Sequence, residues 1–130
     1  MIESRKGLDN VVPYPVPAYT RKDKLRFDLN ESNFGCSPKV LKAIKSVSKS
    51  DLLIYPEYEK LTAKIAEEYN VQPSNVMLTN GGDDAIRSVV DTFIDKKEEM
   101  LLPVPTYSMF ELYGKLSGAR IKEVVYNKDF

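Results

Sequence analysis

The chain has 130 residues, the length of one ordinary domain or of part of a larger one, and its 42% hydrophobic and 29% charged content is typical of a soluble globular protein. Lys and Arg number 19 against 19 Asp and Glu, so no net field draws the chain to nucleic acid or to a membrane surface. There is no histidine and a single cysteine, Cys36, which excludes a Ser-His-Asp triad, a Cys-His pair, a His-ligated zinc and a disulfide within one chain.

No apolar run approaches the roughly 20 residues that a bilayer span needs. The opening "MIESRKGLDN" lacks the apolar core of a signal peptide, so a cytoplasmic location is expected. Residues 1–35 read as an arm. Its "VVPYPVPAY" segment carries prolines at 13, 15 and 17, which favour an extended path and forbid helix. A short alternating piece from Leu25 to Leu29 follows, and then turn-forming residues.

From Ser37 the pattern is helical. Ser37 can cap, Pro38 suits the first helical position, and Val40, Leu41, Ile44 and Val47 recur at helical spacing. A second helix is expected from about Tyr58, with Leu61, Ile65 and Tyr69 on one face. "VMLT", starting at Val76, reads as a short buried strand between Pro73 and Gly81-Gly82. An amphipathic helix then carries Ala85, Ile86, Val89, Val90 and Phe93. "EMLLPVP" reads as a strand, "YSMFELYGKLSG" as a helix closed by Gly118, and "RIKEVVY" as a last strand. Strand, helix, strand, helix, strand is the order of a parallel βαβαβ sheet with right-handed crossovers. Ligands gather at the carboxyl ends of such strands, where Gly81-Gly82 and Pro105-Thr106-Tyr107 both fall. The two loops are expected to be neighbours.

The stretch "TNGGDDAIRSVVDTF" (Thr79 to Phe93) admits two readings. A helix starting at Gly82 or Asp83 leaves its first N–H groups without intrahelical partners. A phosphate can accept them, and glycines let it come close to the backbone. Equally, Asn80 can cap, with Asp83 three residues on as a partial capping box. Two carboxylates facing a dianionic phosphate would repel it. The stretch has neither the Lys-Ser/Thr ending of a nucleotide P-loop nor the third glycine of a dinucleotide fingerprint.

Four segments in register carry a family resemblance. "LNESNFG" (Leu29 to Gly35) resembles the L-N-x-N-E-N-P-Y-G region of histidinol-phosphate aminotransferases, and "IYP" (Ile54 to Pro56) is similar to their R-Y-P. "NVMLTNGGDDAI" is similar to their strand, G-[SA]-D-E segment and helix, and "PVPTYSMF" (Pro103 to Phe110) to their P-x-P-T-Y-x-M-Y. From Pro13 onward the chain resembles the N-terminal portion of a fold-type I, pyridoxal-phosphate-dependent aminotransferase. The resemblance implies an α/β fold: the first part of a three-layer αβα large domain (36–130), preceded by the arm (1–35).

The resemblance also implies roles. Backbone N–H groups around Gly81, Gly82 and Asp83 would hold the pyridoxal 5'-phosphate phosphate, so that the Asp83 side chain can cap while its amide binds. Tyr107 matches the aromatic that stacks on the pyridine ring. Tyr55 matches a tyrosine reaching the phosphate of a neighbouring subunit, which implies a homodimer. Tyr14, Asn30 and Glu31 match arm residues near the substrate and the site entrance.

The sequence departs from the pattern at Ser32, Asn33 and Phe34, at Ile54 in place of arginine, and at Gly82 and Asp84 in the G-[SA]-D-E segment. These departures bear on the substrate more than on the cofactor. In the family the Schiff-base lysine, the acid that pairs with the pyridine nitrogen and the arginine that grips the substrate carboxylate all lie beyond the Tyr107 loop. "SVSKS" (Ser46 to Ser50) only superficially resembles the lysine motif, and Lys49 is read as a cation near a helix C-terminus. The expectation is therefore an N-terminal piece, inactive alone, of a transaminase that works by a two-step exchange with a 2-oxo acid. A lyase or decarboxylase on the same scaffold, and a non-catalytic phosphate-binding or dimerisation module, remain as alternatives.

Overall fold

The computed structural model describes Val11 and residues 20–128, which fall into two compact units, 20–58 and 59–128, with Val11 in the second. In the first unit, residues 20–36 form turns without helix or strand. Their frame is ionic. Arg21 donates to Glu31 Oε1 at 2.7 Å and to Asp28 Oδ1 at 2.5 Å, and Asn33 brackets Arg26 by accepting its N–H at 3.0 Å and donating to its carbonyl at 2.9 Å.

Helix α1 (Pro38–Lys45) follows. It starts as expected: Ser37 accepts the Lys39 N–H at 3.3 Å, and Pro38 opens the first turn. It ends earlier than the apolar spacing suggests, leaving Val47 outside. Ser46 Oγ donates to Ala43 O at 2.7 Å, and Asp51 accepts from both the amide and the hydroxyl of Ser48, so local side-chain bonds replace a further helical turn. Lys49 lies in the turn after the helix, beyond its last basic residues Lys42 and Lys45.

The second unit begins with α2 (Glu59–Glu68). Of the expected apolar face, Ile65 is half-buried and the rest is not. Leu61 and Tyr69 are exposed, and Ala66 is the buried residue. Asn70, in the left-handed region at φ 52, closes the helix, with its N–H on Glu67 O and the Val71 N–H on Ala66 O. That is the bond pattern of a Schellman end, with asparagine where glycine is commoner. A 3-10 turn (Pro73–Asn75) leads into Val76–Thr79.

The sequence reading of Val76–Thr79 as a strand needs correction. The backbone at Val76 is extended, φ −113 and ψ 122, but no ladder forms, because among the described residues no strand pairs with it. Then come α3 (Gly81–Phe93), β1 (Glu99–Val104), α4 (Ser108–Ser117) and β2 (Arg120–Val125). The strands β1 and β2 pair in parallel with register Glu99↔Arg120 through Val104↔Val125, and α4 is the crossover between them. Gly118 closes α4 at φ 84, where its lack of a Cβ avoids the steric penalty of the left-handed region.

The core of the described residues is Ala66, Val90, Leu102 and Met109. Helix α3 buries Val90 and leaves Val89 and Phe93 exposed. Val89, Ile94, Met100, Leu101 and Phe110 line an open apolar groove of about 560 Å³. Among the described residues no helix is long and apolar enough to cross a membrane.

Gly114 is where α4 comes closest to the sheet. A Cβ there would stand 2.5 Å from Ile121 Cδ1 and 2.8 Å from Met100 Sδ. Gly114→Val should therefore destabilise the fold by about 1–3 kcal/mol, the usual cost of overpacking. Chemical denaturation measures it, and an unchanged midpoint would mean that α4 does not pack as described.

Candidate functional site

The carboxyl end of β1 passes through the cis Val104–Pro105 peptide into Thr106 and Tyr107, and α4 begins at Ser108. The start of α3 lies against this loop. Tyr107 donates its hydroxyl to Asp83 Oδ1 at 2.9 Å, across 24 positions of chain. The expected meeting of the two loops is thus made by a specific hydrogen bond.

The helix start itself differs from the expected capping box. The Asn80 side chain makes no cap bond. Gly81 takes φ 77 and donates its N–H to Thr79 O at 2.9 Å, while Thr79 Oγ1 donates to Gly81 O at 2.9 Å. This tight turn moves the reciprocal carboxylate one residue along: Asp84 Oδ2, not Asp83, accepts the Asn80 N–H at 3.1 Å. Both acidic side chains of the first turn therefore have donors within the chain. A Cβ built on Gly81 or Gly82 would meet no atom within 4 Å, so the space beside both is open.

Gly81, Gly82, Asp83 and Tyr107 all belong to the 59–128 unit, and the structure brings them together. Asn30, Glu31 and Tyr55 belong to the 20–58 unit, and Tyr14 lies outside the described residues. Tyr55 is 96% exposed. Asn30 sits in the left-handed region at φ 54, which asparagine tolerates better than most residues. Glu31 is engaged on both oxygens. Arg21 donates to Oε1, and Arg26 Nε lies 2.7 Å from Oε2 as a charge contact rather than an aligned hydrogen bond.

Sequence reasoning missed this Arg21–Asp28–Glu31–Arg26 cluster. Its one available signal was opposite charges at close quarters in "RKDKLRFDLNE". It also missed Asp83 as the acceptor for Tyr107, which no short-range motif encodes, and placed the Asn80 partner one residue early, at Asp83 instead of Asp84.

An α/β unit whose parallel strand delivers an aromatic residue to a glycine-led helix start defines a domain that can hold a small phosphorylated molecule at a strand end. The model for "Aminotransferase class I and II" matches residues 22–130, and the chain belongs to that family. It is 34% identical, over 98% of its own length, to the histidinol-phosphate aminotransferase of Caldanaerobacter subterraneus, and covers 36% of that protein. To the histidinol-phosphate aminotransferase of Geotalea daltonii it is 30% identical over its whole length, covering 39% of that protein. The chain thus spans little more than a third of these curated relatives.

Among solved structures, histidinol-phosphate aminotransferase from Sinorhizobium meliloti in complex with pyridoxal-5'-phosphate superposes with a TM-score of 0.70 at 26% identity. The match covers 78% of this chain and 28% of that one. The α-aminoadipate aminotransferase of Thermus thermophilus gives a TM-score of 0.55 at 28% identity, over 69% of this chain and 23% of that one.

The arm's ion pairs set a pH dependence. The hydrogen bond from Arg21 holds the Asp28 carboxyl below the usual carboxylate range. A lowered folded-state value means that the stabilising contribution is complete above the unfolded value of about 3.9 and is lost as pH falls through the folded one. Carboxyl-carbon NMR should give Asp28 a titration midpoint below that of free aspartate, and Arg21→Ala should return it toward normal. A midpoint that Arg21→Ala leaves in place would show that this ion pair does not form.

Proposed function

We propose that the protein is a pyridoxal-phosphate-dependent aminotransferase acting on histidinol phosphate or a related amino compound. The observation that carries this reading is the Tyr107–Asp83 bond, which sets an aromatic side chain at a helix start with open space beside Gly81 and Gly82. The residues present fit the cofactor. Amides of the first turn of α3, at Gly82 and Asp83, suit an anionic phosphate, and the positive end of the helix dipole adds to them. Gly81 shapes the entry to that turn. The flat face of Tyr107 suits an aromatic ring.

When bound, pyridoxal phosphate supplies the electron sink through which an amino group passes between an amino donor and a 2-oxo acid. The chain's own residues bind and orient. The two glycines would leave room for the phosphate and Tyr107 would cover one face of the ring, while the Asp84 carboxylate is held on the Asn80 N–H. In a homodimer, exposed Tyr55 would reach the phosphate of the neighbouring subunit. Tyr14, Asn30 and Glu31 would line the entrance, with Glu31 held by two arginines. The histidinol-phosphate assignment is supported by relatives of that name matching 97–100% of this chain.

The test uses protein expressed from the complete reading frame, with histidinol phosphate as donor and a 2-oxo acid as acceptor. Amino-group transfer that depends on added pyridoxal phosphate is expected. Gly82→Val places side-chain atoms in open space, so the fold should persist while cofactor affinity falls at least about tenfold, the equivalent of one charge-assisted hydrogen bond. Unchanged affinity in a folded Gly82→Val protein would move the phosphate elsewhere.

A further inference from the structure

We infer that the Asp83 carboxylate is a positioning residue for the Tyr107 ring, a task separate from the phosphate-binding task of the Asp83 amide. The inference rests on the cofactor reading above and deepens it. Its basis is the 2.9 Å hydrogen bond from the Tyr107 hydroxyl to Asp83 Oδ1.

Three features make the carboxylate suited to this work. Asp83 lies in the first turn of α3, so its backbone is fixed by helix geometry and its charge sits favourably at the positive end of the dipole. An ionised acceptor also makes a stronger bond to a hydroxyl than a neutral one does. Finally, Tyr107 caps α4 with extended backbone, φ −66 and ψ 124, makes no side-chain cap bond to that helix, and is 48% exposed. A ring half open to solvent is only partly fixed by packing, and a tether at its tip removes much of its remaining freedom.

The same bond fixes the direction of one of the two carboxylates that stand beside the proposed phosphate site. The Asp83 carboxylate is directed at Tyr107 and that of Asp84 at the Asn80 N–H. Both negative groups are committed to donors within the chain, and the amides of the turn are left to the anion. Tyr107 then acts twice: its face meets the cofactor ring, and its hydroxyl holds the neighbouring carboxylate. Loss of the tether should weaken recognition of the ring more than recognition of the phosphate, which separates this role from a general structural one.

The experiment uses protein from the complete reading frame and two probes, pyridoxamine 5'-phosphate and inorganic phosphate, each titrated by calorimetry. Asp83→Ala and Tyr107→Phe should each raise the dissociation constant for pyridoxamine 5'-phosphate about tenfold, a typical effect for a hydrogen bond to a charged group. The double variant should lose no more than either single one, because both remove the same bond. Asp83→Asn keeps an acceptor oxygen and should recover most of the affinity. Inorganic phosphate should bind Tyr107→Phe as it binds the wild type. Additive losses, failure of Asp83→Asn to restore binding, or a parallel loss of inorganic phosphate in Tyr107→Phe would overturn the positioning role while the cofactor reading stands. A wild type that binds neither probe would overturn both.

Discussion

The hydrogen bond from Tyr107 to Asp83 is a long-range polar contact that ties the strand-end loop to the start of α3. Local capping can set the start of α3, and the parallel pairing of β1 with β2 can set the direction in which β1 leaves the sheet. The packing of α3 on α4 brings Tyr107 toward the glycine turn, and the tether fixes the ring's tip there with a carboxylate already anchored by the helix. One side chain therefore joins two elements that α/β topology alone would only bring into the same region.

The surroundings follow the same economy of small local devices. A left-handed Gly81 and the Thr79 bonds tighten the turn, and that geometry makes Asp84 rather than Asp83 the partner of the Asn80 N–H. Asp83 is thereby left for Tyr107. In the other unit an ionic frame does what a core would do: Arg21 and Arg26 hold Asp28 and Glu31 where there is no regular secondary structure. Each of these bonds is modest at an exposed surface, and their value lies in fixing loops that have no regular secondary structure.

Much of the fold was legible because it rests on local chemistry. Ser37-Pro38 marks the start of α1, Gly118 the end of α4, and the segments "EMLLPVP" and "RIKEVVY" mark β1 and β2. What failed to show depends on partners distant in sequence. Whether Val76–Thr79 is a strand is decided by a neighbouring strand, not by its own residues. Burial of Ala66 in place of Leu61 follows from what α2 packs against, which spacing along one helix does not reveal. The glycine turn and Tyr107 were readable from motifs, yet the bond between Tyr107 and Asp83 was not: the sequence reading gave the Asp83 side chain a capping role, and its partner lies 24 positions away. The role of Glu31 as the meeting point of two arginines was hidden for the same reason.

The most direct measurement is a crystal structure of the protein from its complete reading frame, grown with pyridoxal 5'-phosphate. The proposed site requires the phosphate on the amides of Gly82 and Asp83, the ring against Tyr107, and the Tyr107 hydroxyl still on the Asp83 carboxylate. A phosphate bound away from the start of α3, or a Tyr107 ring turned from the cofactor, would contradict it.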